Sequence, residues 1–121
     1  MNERIMLVDD AQVMRLVLSR ILKGAGYEIA GEASTGKEAV QKYGKIKPDL
    51  VMMDITMPEM SGIDAVKEIK KIDPQARVIM CTAIGQKSFV IEALEAGALN
   101  YIVKPFDQEK VLTAVGATLK K

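Results

Sequence analysis

Residues 4–10 read RIMLVDD, a short and continuous apolar run that stops at two aspartates. A run of this length without polar alternation is typical of a strand that is buried on both faces, as strands of a parallel sheet are. Apolar residues then recur at helical spacing within 13–23, and Gly24 follows where such a helix would end. The residues that form this helical pattern are Val13, Leu16, Val17 and Ile21. The chain therefore opens with a strand, a pair of carboxylates and a helix.

The same strand-then-helix order repeats to the end of the sequence. Further strands are predicted at 28–33, 50–53, 78–82 and 101–103. Further helices are predicted at 36–45 and 62–72, then around Val90, Ala93, Leu94 and Gly97, and finally around Leu112, Val115 and Leu119. Five such units with short connections predict an α/β fold, a doubly wound five-stranded parallel sheet covered by five helices. At 121 residues the chain has room for one core, so we expect residues 1–121 to form a single domain.

Composition excludes several classes of function. The formal net charge is +1 and the Lys and Arg residues are spread along the chain, so nucleic-acid binding is not expected. No apolar run approaches the roughly 20 residues that span a bilayer, and the N-terminus lacks a signal peptide, so we expect a cytoplasmic protein without a membrane segment. The sequence has no histidine, which excludes Ser-His-Asp and Cys-His catalysis and the usual zinc sites. The one cysteine, Cys81, lies in an apolar run and is expected to be a buried, reduced thiol.

Polar side chains stand where four of the predicted strands end. Because parallel strands place their carboxyl ends on one edge of the sheet, Asp9, Asp10, Asp54, Thr82 and Lys104 should lie close together there. Clustered carboxylates repel one another, and one lysine does not neutralise three of them. Oxygen ligands without His or Cys favour a hard cation, and so few carboxylates suit Mg²⁺ better than Ca²⁺. An aspartate beside such an ion can accept a phosphoryl group, with the hydroxyl of Thr82 and the ammonium of Lys104 as further contacts.

Each residue also has a plainer interpretation. Asp9 or Asp10 could be no more than an N-cap of the first helix, and Asp54 could belong to an ordinary turn. A dinucleotide-binding fold also begins strand, helix, strand, but it requires Gly-x-Gly-x-x-Gly directly after the first strand, where this sequence has DDAQV at 9–13. Compatible chemistry at four strand ends favours a common site over chance capping.

The polar residues at these strand ends lie in four motifs: LVDD at 7–10, MDITMPEMSG at 53–62, CTA at 81–83 and VKPF at 103–106. With them the chain resembles the receiver domains of two-component response regulators over essentially its whole length. The resemblance implies a flavodoxin-like sheet of strand order 2-1-3-4-5. It also implies a role for each site residue. Asp54 would be the phosphoacceptor, Thr82 and Lys104 would contact the phosphoryl group, and Mg²⁺ would be held by Asp9, Asp10, Asp54 and the backbone carbonyl of Thr56.

Within that family, residues 57–69 and 83–86 look most like chemotaxis regulators of non-enteric bacteria. The partners this implies are a histidine kinase, a flagellar motor switch protein and a phosphatase. The resemblance also implies that the protein is a monomer and is not itself a turnover enzyme. Two alternatives stay open. One is a phosphorelay intermediate that passes the phosphoryl group on. The other is a metal-dependent aspartyl-phosphate phosphatase, which would normally carry an acidic group at the position of Thr56.

Two further expectations concern the last strand. By the resemblance, Tyr101 aligns with the family's switch aromatic, which turns inward when the threonine moves onto the phosphoryl group. Without the resemblance, an ordinary half-buried strand tyrosine is the favoured interpretation. The peptide bond between Lys104 and Pro105 is predicted to be cis, because a tight turn there would aim the ammonium back at the site.

Overall fold

A computed structural model describes residues 2–57 and 59–120 of the chain. Its five strands form one parallel sheet of order β2-β1-β3-β4-β5. The strands are β1 (Arg4–Val8), β2 (Glu28–Ala33), β3 (Leu50–Asp54), β4 (Val78–Thr82) and β5 (Asn100–Val103). The helices are α1 (Gln12–Gly24), α2 (Gly36–Ile46), α3 (Gly62–Ile72), α4 (Lys87–Glu95) and α5 (Gln108–Leu119). The predicted fold class and strand order are confirmed. Within the described residues, no helix is long and apolar enough to span a membrane.

Side chains of the central strands alternate between two separate cores, one on each face of the sheet. In β1, Met6 and Val8 join the core under α2, α3 and α4, whereas Ile5 and Leu7 join the core under α1 and α5. The strands β3 and β4 divide their residues in the same way. This period of two explains why the central strands are uninterrupted apolar runs, because both of their faces are covered by helices.

The first helix forms as predicted but buries a different face. Val13 is 64% exposed and Leu16 is 49% exposed, whereas Leu18 and Leu22 are buried against the sheet. The helix carries apolar residues all round its N-terminal half, so the pattern that predicted the helix did not identify its buried side. A smaller correction concerns Gly97, which the sequence pattern placed on the fourth helix. Helix α4 ends at Glu95, and Gly97 has a φ of +120°, a conformation that favours glycine.

The loop from β3 to α3 is held at the carboxyl edge by a close backbone contact. Gly62, the first residue of α3, lies so close to β3 that a Cβ there would be 2.0 Å from the carbonyl oxygen of Asp54. Its amide donates to the carbonyl of Ile55 at 2.6 Å. Helix α3 and the strand that precedes it are therefore packed backbone to backbone at the site.

The predicted cis peptide bond between Lys104 and Pro105 is present.

Cys81 lies in β4, directly before Thr82, and belongs to the core under α1 and α5. It is 1% exposed, and its burial raises the pKa of the thiol well above the ordinary range. The expectation of a buried, unpaired cysteine is confirmed.

Candidate functional site

Three carboxylates meet at the carboxyl edge of the sheet. Asp9 and Asp10 directly follow β1, and Asp54 ends the neighbouring strand β3. One oxygen from each carboxylate lies within 4.8 Å of the others. Asp9 and Asp54 are buried, at 2% and 6% exposure, whereas Asp10 is exposed. The predicted convergence of these aspartates is therefore present.

Lys104 reaches this cluster from the far edge of the sheet. Its Nζ lies 2.8 Å from Oδ2 of Asp9 and 3.3 Å from Oδ1 of Asp54. Its backbone amide donates to the carbonyl of Thr82 at 2.7 Å, which joins the end of β5 to the end of β4. The ammonium thus bridges two buried carboxylates that are 45 residues apart in the sequence.

Burial and neighbouring charges have opposing effects on the pKa values of Asp54 and Lys104. Burial, followed by the charge of Asp9, raises the pKa of Asp54 to about 6, although Lys104 acts in the opposite direction. Burial alone would lower the pKa of Lys104, but its contacts with Asp9 and Asp54 outweigh burial and raise the pKa above its ordinary value. The site therefore holds a charged lysine and an excess of negative charge that a cation would relieve.

Neither aspartate of the Asp9-Asp10 pair caps α1. The helix begins after Ala11, which makes no side-chain cap. Instead Oδ1 of Asp9 accepts the amide of Ala11 at 2.9 Å, in a local turn. The N-cap alternative for this pair is therefore wrong, and both carboxylates contribute to the cluster.

Arg15 supports the same loop from α1, and the sequence pattern did not identify it. Its guanidinium donates to the backbone carbonyl of Asp9 and, at 2.8 Å, to Oε1 of Glu32 on β2. It is the less exposed partner of that ion pair. A basic residue five positions after the Asp9-Asp10 pair was the available signal, but such charges usually lie in solvent.

Thr82 lies at the edge but turns away from the carboxylates. It is 2% exposed, and its hydroxyl donates to Oε1 of Gln86 at 2.8 Å, with the carbonyl of Ala83 farther away at 3.2 Å. Among the residues that the structure describes, no hydrogen bond joins this hydroxyl to Asp54 or Lys104. Sequence reasoning placed Thr82 correctly at the edge but did not identify Gln86 as its partner.

The two remaining predicted residues lie around the cluster rather than in it. Thr56 is exposed at the start of the loop from β3 to α3. Tyr101 is 47% exposed on β5 and lines a cavity of about 280 Å³ together with Thr82 and Gln86. Metal binding by the carbonyl of Thr56 and a switching role for Tyr101 stay predictions.

The donor set fits a hard divalent cation. Its side-chain donors within the described residues are carboxylate oxygens, and they are close enough together to share one ion. Mg²⁺ is bound by few carboxylates and retains other positions for water and phosphate oxygens. The chemistry of the residues present is therefore compatible with Mg²⁺.

Comparison with known proteins gives the family. The family model described as response regulator receiver domain matches residues 5–116. The chain belongs to this family. The receiver domain is 57% identical to chemotaxis protein CheY of Thermotoga maritima over 120 residues, which cover 99% of this chain and 100% of that protein. It is 56% identical to chemotaxis protein CheY of Bacillus subtilis, with 98% of this chain and 99% of that protein covered.

Solved structures agree with this assignment. The receiver domain superposes with a TM-score of 0.93 and 39% identity on a chain of the CheX-CheY-BeF3-Mg²⁺ complex from Borrelia burgdorferi, covering 98% of this chain and 90% of that one. With the response regulator domain of Thermotoga maritima CheB the TM-score is 0.92 at 33% identity, covering 100% of this chain and 98% of that chain. The protein is thus a CheY-like receiver domain of the two-component type.

Proposed function

We propose that Asp54 accepts a phosphoryl group and that the receiver domain signals by binding a partner in the phosphorylated state. The observation that carries this proposal is the cluster of Asp9, Asp10 and Asp54, bridged by Lys104, at the carboxyl edge of the sheet. We assign the nucleophile to Asp54, which ends the central strand β3 and lies 3.3 Å from Nζ of Lys104, an ammonium that it shares with Asp9.

The proposed donor is a phosphohistidine of a histidine kinase. The bond from phosphorus to the imidazole nitrogen breaks, a bond from phosphorus to an oxygen of Asp54 forms, and the imidazole retains the electron pair of the broken bond. Lys104 then exchanges its contact with Asp54 for one with the phosphoryl oxygens. Thr82 donates its hydroxyl to the same group after turning from its present partner.

Mg²⁺ would be held by Asp9, Asp10, Asp54 and the carbonyl of Thr56, and it would neutralise charge on the transferring oxygens. The chain's own residues prepare that site. Arg15 fixes the carbonyl of Asp9, and the amide of Ala11 fixes its carboxylate, so the loop that supplies two of the acidic groups is held from both sides. The Mg²⁺ in the related CheX-CheY-BeF3-Mg²⁺ complex supports this choice of ion.

We assign the output to chemotaxis, with a flagellar motor switch protein as the partner of the phosphorylated form. The identities to two chemotaxis proteins named CheY support this assignment. The proposed output surface comprises α4, β5 and α5, where Phe89, Ile91 and Tyr101 are exposed. A phosphorelay intermediate is the second candidate, and a turnover phosphatase is disfavoured by the neutral Thr56 two residues after Asp54.

Phosphorylation can be tested with acetyl phosphate as the donor and intact mass as the readout, since the chain has no tryptophan to report the reaction. We expect labelling of the parent only with Mg²⁺ and no labelling of Asp54→Asn, because an amide does not accept a phosphoryl group. Asp64→Asn is the matched control, since Asp64 is an exposed aspartate on α3. Undiminished labelling of Asp54→Asn would refute the site.

The partner class needs a separate experiment. We expect a motor-switch peptide to bind more tightly when Mg²⁺ and beryllofluoride are present, by a factor of about 5 to 150, which is the usual size of allosteric coupling. Transfer of label from the phosphorylated domain to a phosphotransfer protein, with equal peptide affinity in both states, would instead identify a phosphorelay intermediate.

A further inference from the structure

The side chain of Gln86 folds back from the start of α4 toward the end of β4. Its Oε1 accepts the hydroxyl of Thr82 at 2.8 Å and the amide of Ala83 at 3.0 Å. Gln86 is the N-cap residue of α4, yet its side chain caps no amide of that helix. One oxygen therefore closes the loop that joins the site to α4.

The direction of the bond from Thr82 follows from that of its neighbour. The amide of Ala83 is a donor only, so the side-chain atom of Gln86 that faces it must be the oxygen and not the nitrogen. The same oxygen faces Thr82, so the hydroxyl must be the donor there as well. A hydroxyl has one hydrogen, and its two acceptors here are Oε1 of Gln86 at 2.8 Å and the carbonyl of Ala83 at 3.2 Å. The shorter contact assigns the hydrogen to Gln86, and neither acceptor belongs to Asp54.

We propose that Gln86 is a positioning residue that holds Thr82 in the unphosphorylated arrangement. This inference rests on the proposed function, in which Thr82 donates to a phosphoryl group on Asp54. For that donation the hydroxyl must exchange Oε1 of Gln86 for a phosphoryl oxygen. Gln86 therefore competes with the phosphoryl group for the hydrogen bond that the hydroxyl of Thr82 donates. The strength of Oε1 of Gln86 as an acceptor then sets how readily the domain adopts the active arrangement.

The same exchange carries the change to α4. After Thr82 leaves, Oε1 of Gln86 retains only the amide of Ala83, and α4 has no side-chain cap at its start. Gln86, Thr82 and Tyr101 also line one cavity of about 280 Å³, so a movement of Gln86 changes the space beside Tyr101. Breaking one hydrogen bond thus leaves the residue that directly precedes α4, and lines that cavity, with one side-chain contact fewer.

The test compares the affinity for beryllofluoride with Mg²⁺, measured by NMR titration, in the parent and in two variants. Gln86→Met retains the size and shape of the side chain but removes its strong hydrogen-bond acceptor. We therefore expect the affinity for beryllofluoride to rise about threefold to tenfold, which corresponds to the net free energy of one hydrogen bond. Gln86→Glu retains an acceptor oxygen and should show no tightening. Gln75→Met, at an exposed glutamine on the opposite edge, is the matched control and should equal the parent.

A structural role alone is distinguished by repeating the substitution in Thr82→Ala. Without the hydroxyl, Gln86→Met should no longer tighten binding, whereas a loop that is merely destabilised would respond in both backgrounds. In the parent, the side-chain amide signal of Gln86 should shift when beryllofluoride is added. Equal affinities of Gln86→Met and the parent, tightening in Gln86→Glu, or a gain that persists in Thr82→Ala would each overturn the proposal.

The failure of this inference can be told apart from failure of the proposed function. If Asp54→Asn still bound beryllofluoride, the phosphoacceptor assignment would be wrong. Suppose instead that Asp54→Asn lost binding and that Gln86→Met bound beryllofluoride as the parent does. The assignment of Asp54 as phosphoacceptor would then be retained, and only the role of Gln86 would be refuted.

Discussion

Helices α3 and α4 lie on the same face of the sheet and each follows a site residue, but they are held very differently. Helix α3 follows Asp54 and begins at an N-cap, Ser61, whose side chain accepts the amide of Asp64. Its first turn contains an acidic residue and its last turn two lysines, as the helix dipole favours. Helix α4 follows Thr82 and has no side-chain cap, no acidic residue in its first turn and no basic residue in its last.

The difference extends to burial. Helix α3 buries five residues, whereas α4 buries two and leaves Phe89, Ile91 and Leu94 exposed. Asp54, the proposed phosphoacceptor, therefore lies beside a firmly packed helix, whereas Thr82 lies beside a loosely held one. Segments with few buried contacts open at the lowest free energy, so a small change at the site is expected to move α4 before it moves α3.

The sharpest test of this contrast is the same truncation in both helices. Ile69 on α3 is fully buried, so Ile69→Ala should lower the free energy of unfolding by about 3–4 kcal/mol. Ile91 on α4 is 50% exposed, and Ile91→Ala should change it by no more than about 0.5 kcal/mol. Urea unfolding followed by circular dichroism gives both values, and similar losses would mean that α4 is as firmly packed as α3.

The backbone contact at the start of α3 can be tested with a single methyl group. In Gly62→Ala the new Cβ would meet the carbonyl of Asp54, so we expect a loss of about 2–3 kcal/mol in the free energy of unfolding and weaker labelling of Asp54. Gly116→Ala on α5 is the matched control. A Cβ there meets nothing within 4 Å, so it should gain about 1 kcal/mol from helix propensity. A stable and fully active Gly62→Ala would contradict the close packing.

The charge of Asp54 should itself destabilise the metal-free domain. Its pKa is raised from 3.8 to about 6, so the folded state binds this proton more tightly than the unfolded state does. The parent should therefore gain stability relative to Asp54→Asn as the pH falls through 6. At pH 7.5 we expect Asp54→Asn to be more stable by about 1–2 kcal/mol.

Thermal unfolding as a function of pH measures this difference in stability, with Glu3→Gln, at an exposed residue before the opposite end of β1, as the matched control. Adding Mg²⁺ should narrow the difference in stability between the parent and Asp54→Asn, because an ion bound by the three carboxylates would stabilise the folded parent and relieve the same repulsion. The difference in stability between the parent and Asp54→Asn could instead be equal at pH 4.5 and pH 7.5, or insensitive to Mg²⁺. Either result would show that repulsion among the three carboxylates does not limit the stability of the parent.

The smallest expected effect concerns capping. Ser61→Ala removes the side-chain cap of α3 and should lower the free energy of unfolding by about 1 kcal/mol. Ser88→Ala, at an exposed serine in the first turn of the uncapped α4, should leave it nearly unchanged. Urea midpoints distinguish the two, and equal losses would indicate an unrecognised role for Ser88 at the start of α4.

Much of this architecture could be predicted from the sequence because its signals are local. The strand Val78–Thr82 is a continuous apolar run, and the helix Gly62–Ile72 begins at a serine and glycine, so both were predicted with the observed bounds. The buried face of α1 could not be predicted, because Val13 and Leu16 are as apolar as Leu18 and Leu22. Which of them meets the sheet depends on the packing of α1 against β1, β2 and α5.

The site divides in the same way. Asp9, Asp54 and Lys104 were predicted to converge because parallel strands bring their ends to one edge, and that rule does not depend on side-chain detail. The contacts of Gln86 and Arg15 were not predicted, since each depends on a long flexible side chain that folds back onto a loop. Sequence patterns place such residues on helices but do not indicate which way their side chains turn.

The burial of Cys81 has a practical consequence for studying this domain. A thiol with 1% exposure and a raised pKa forms almost no accessible thiolate, so maleimide reagents should leave it unmodified in the folded protein. It is also the one cysteine in the sequence. A cysteine introduced at exposed Ile91 would then be the single reactive group, and a fluorophore attached there would report the motion of α4 directly.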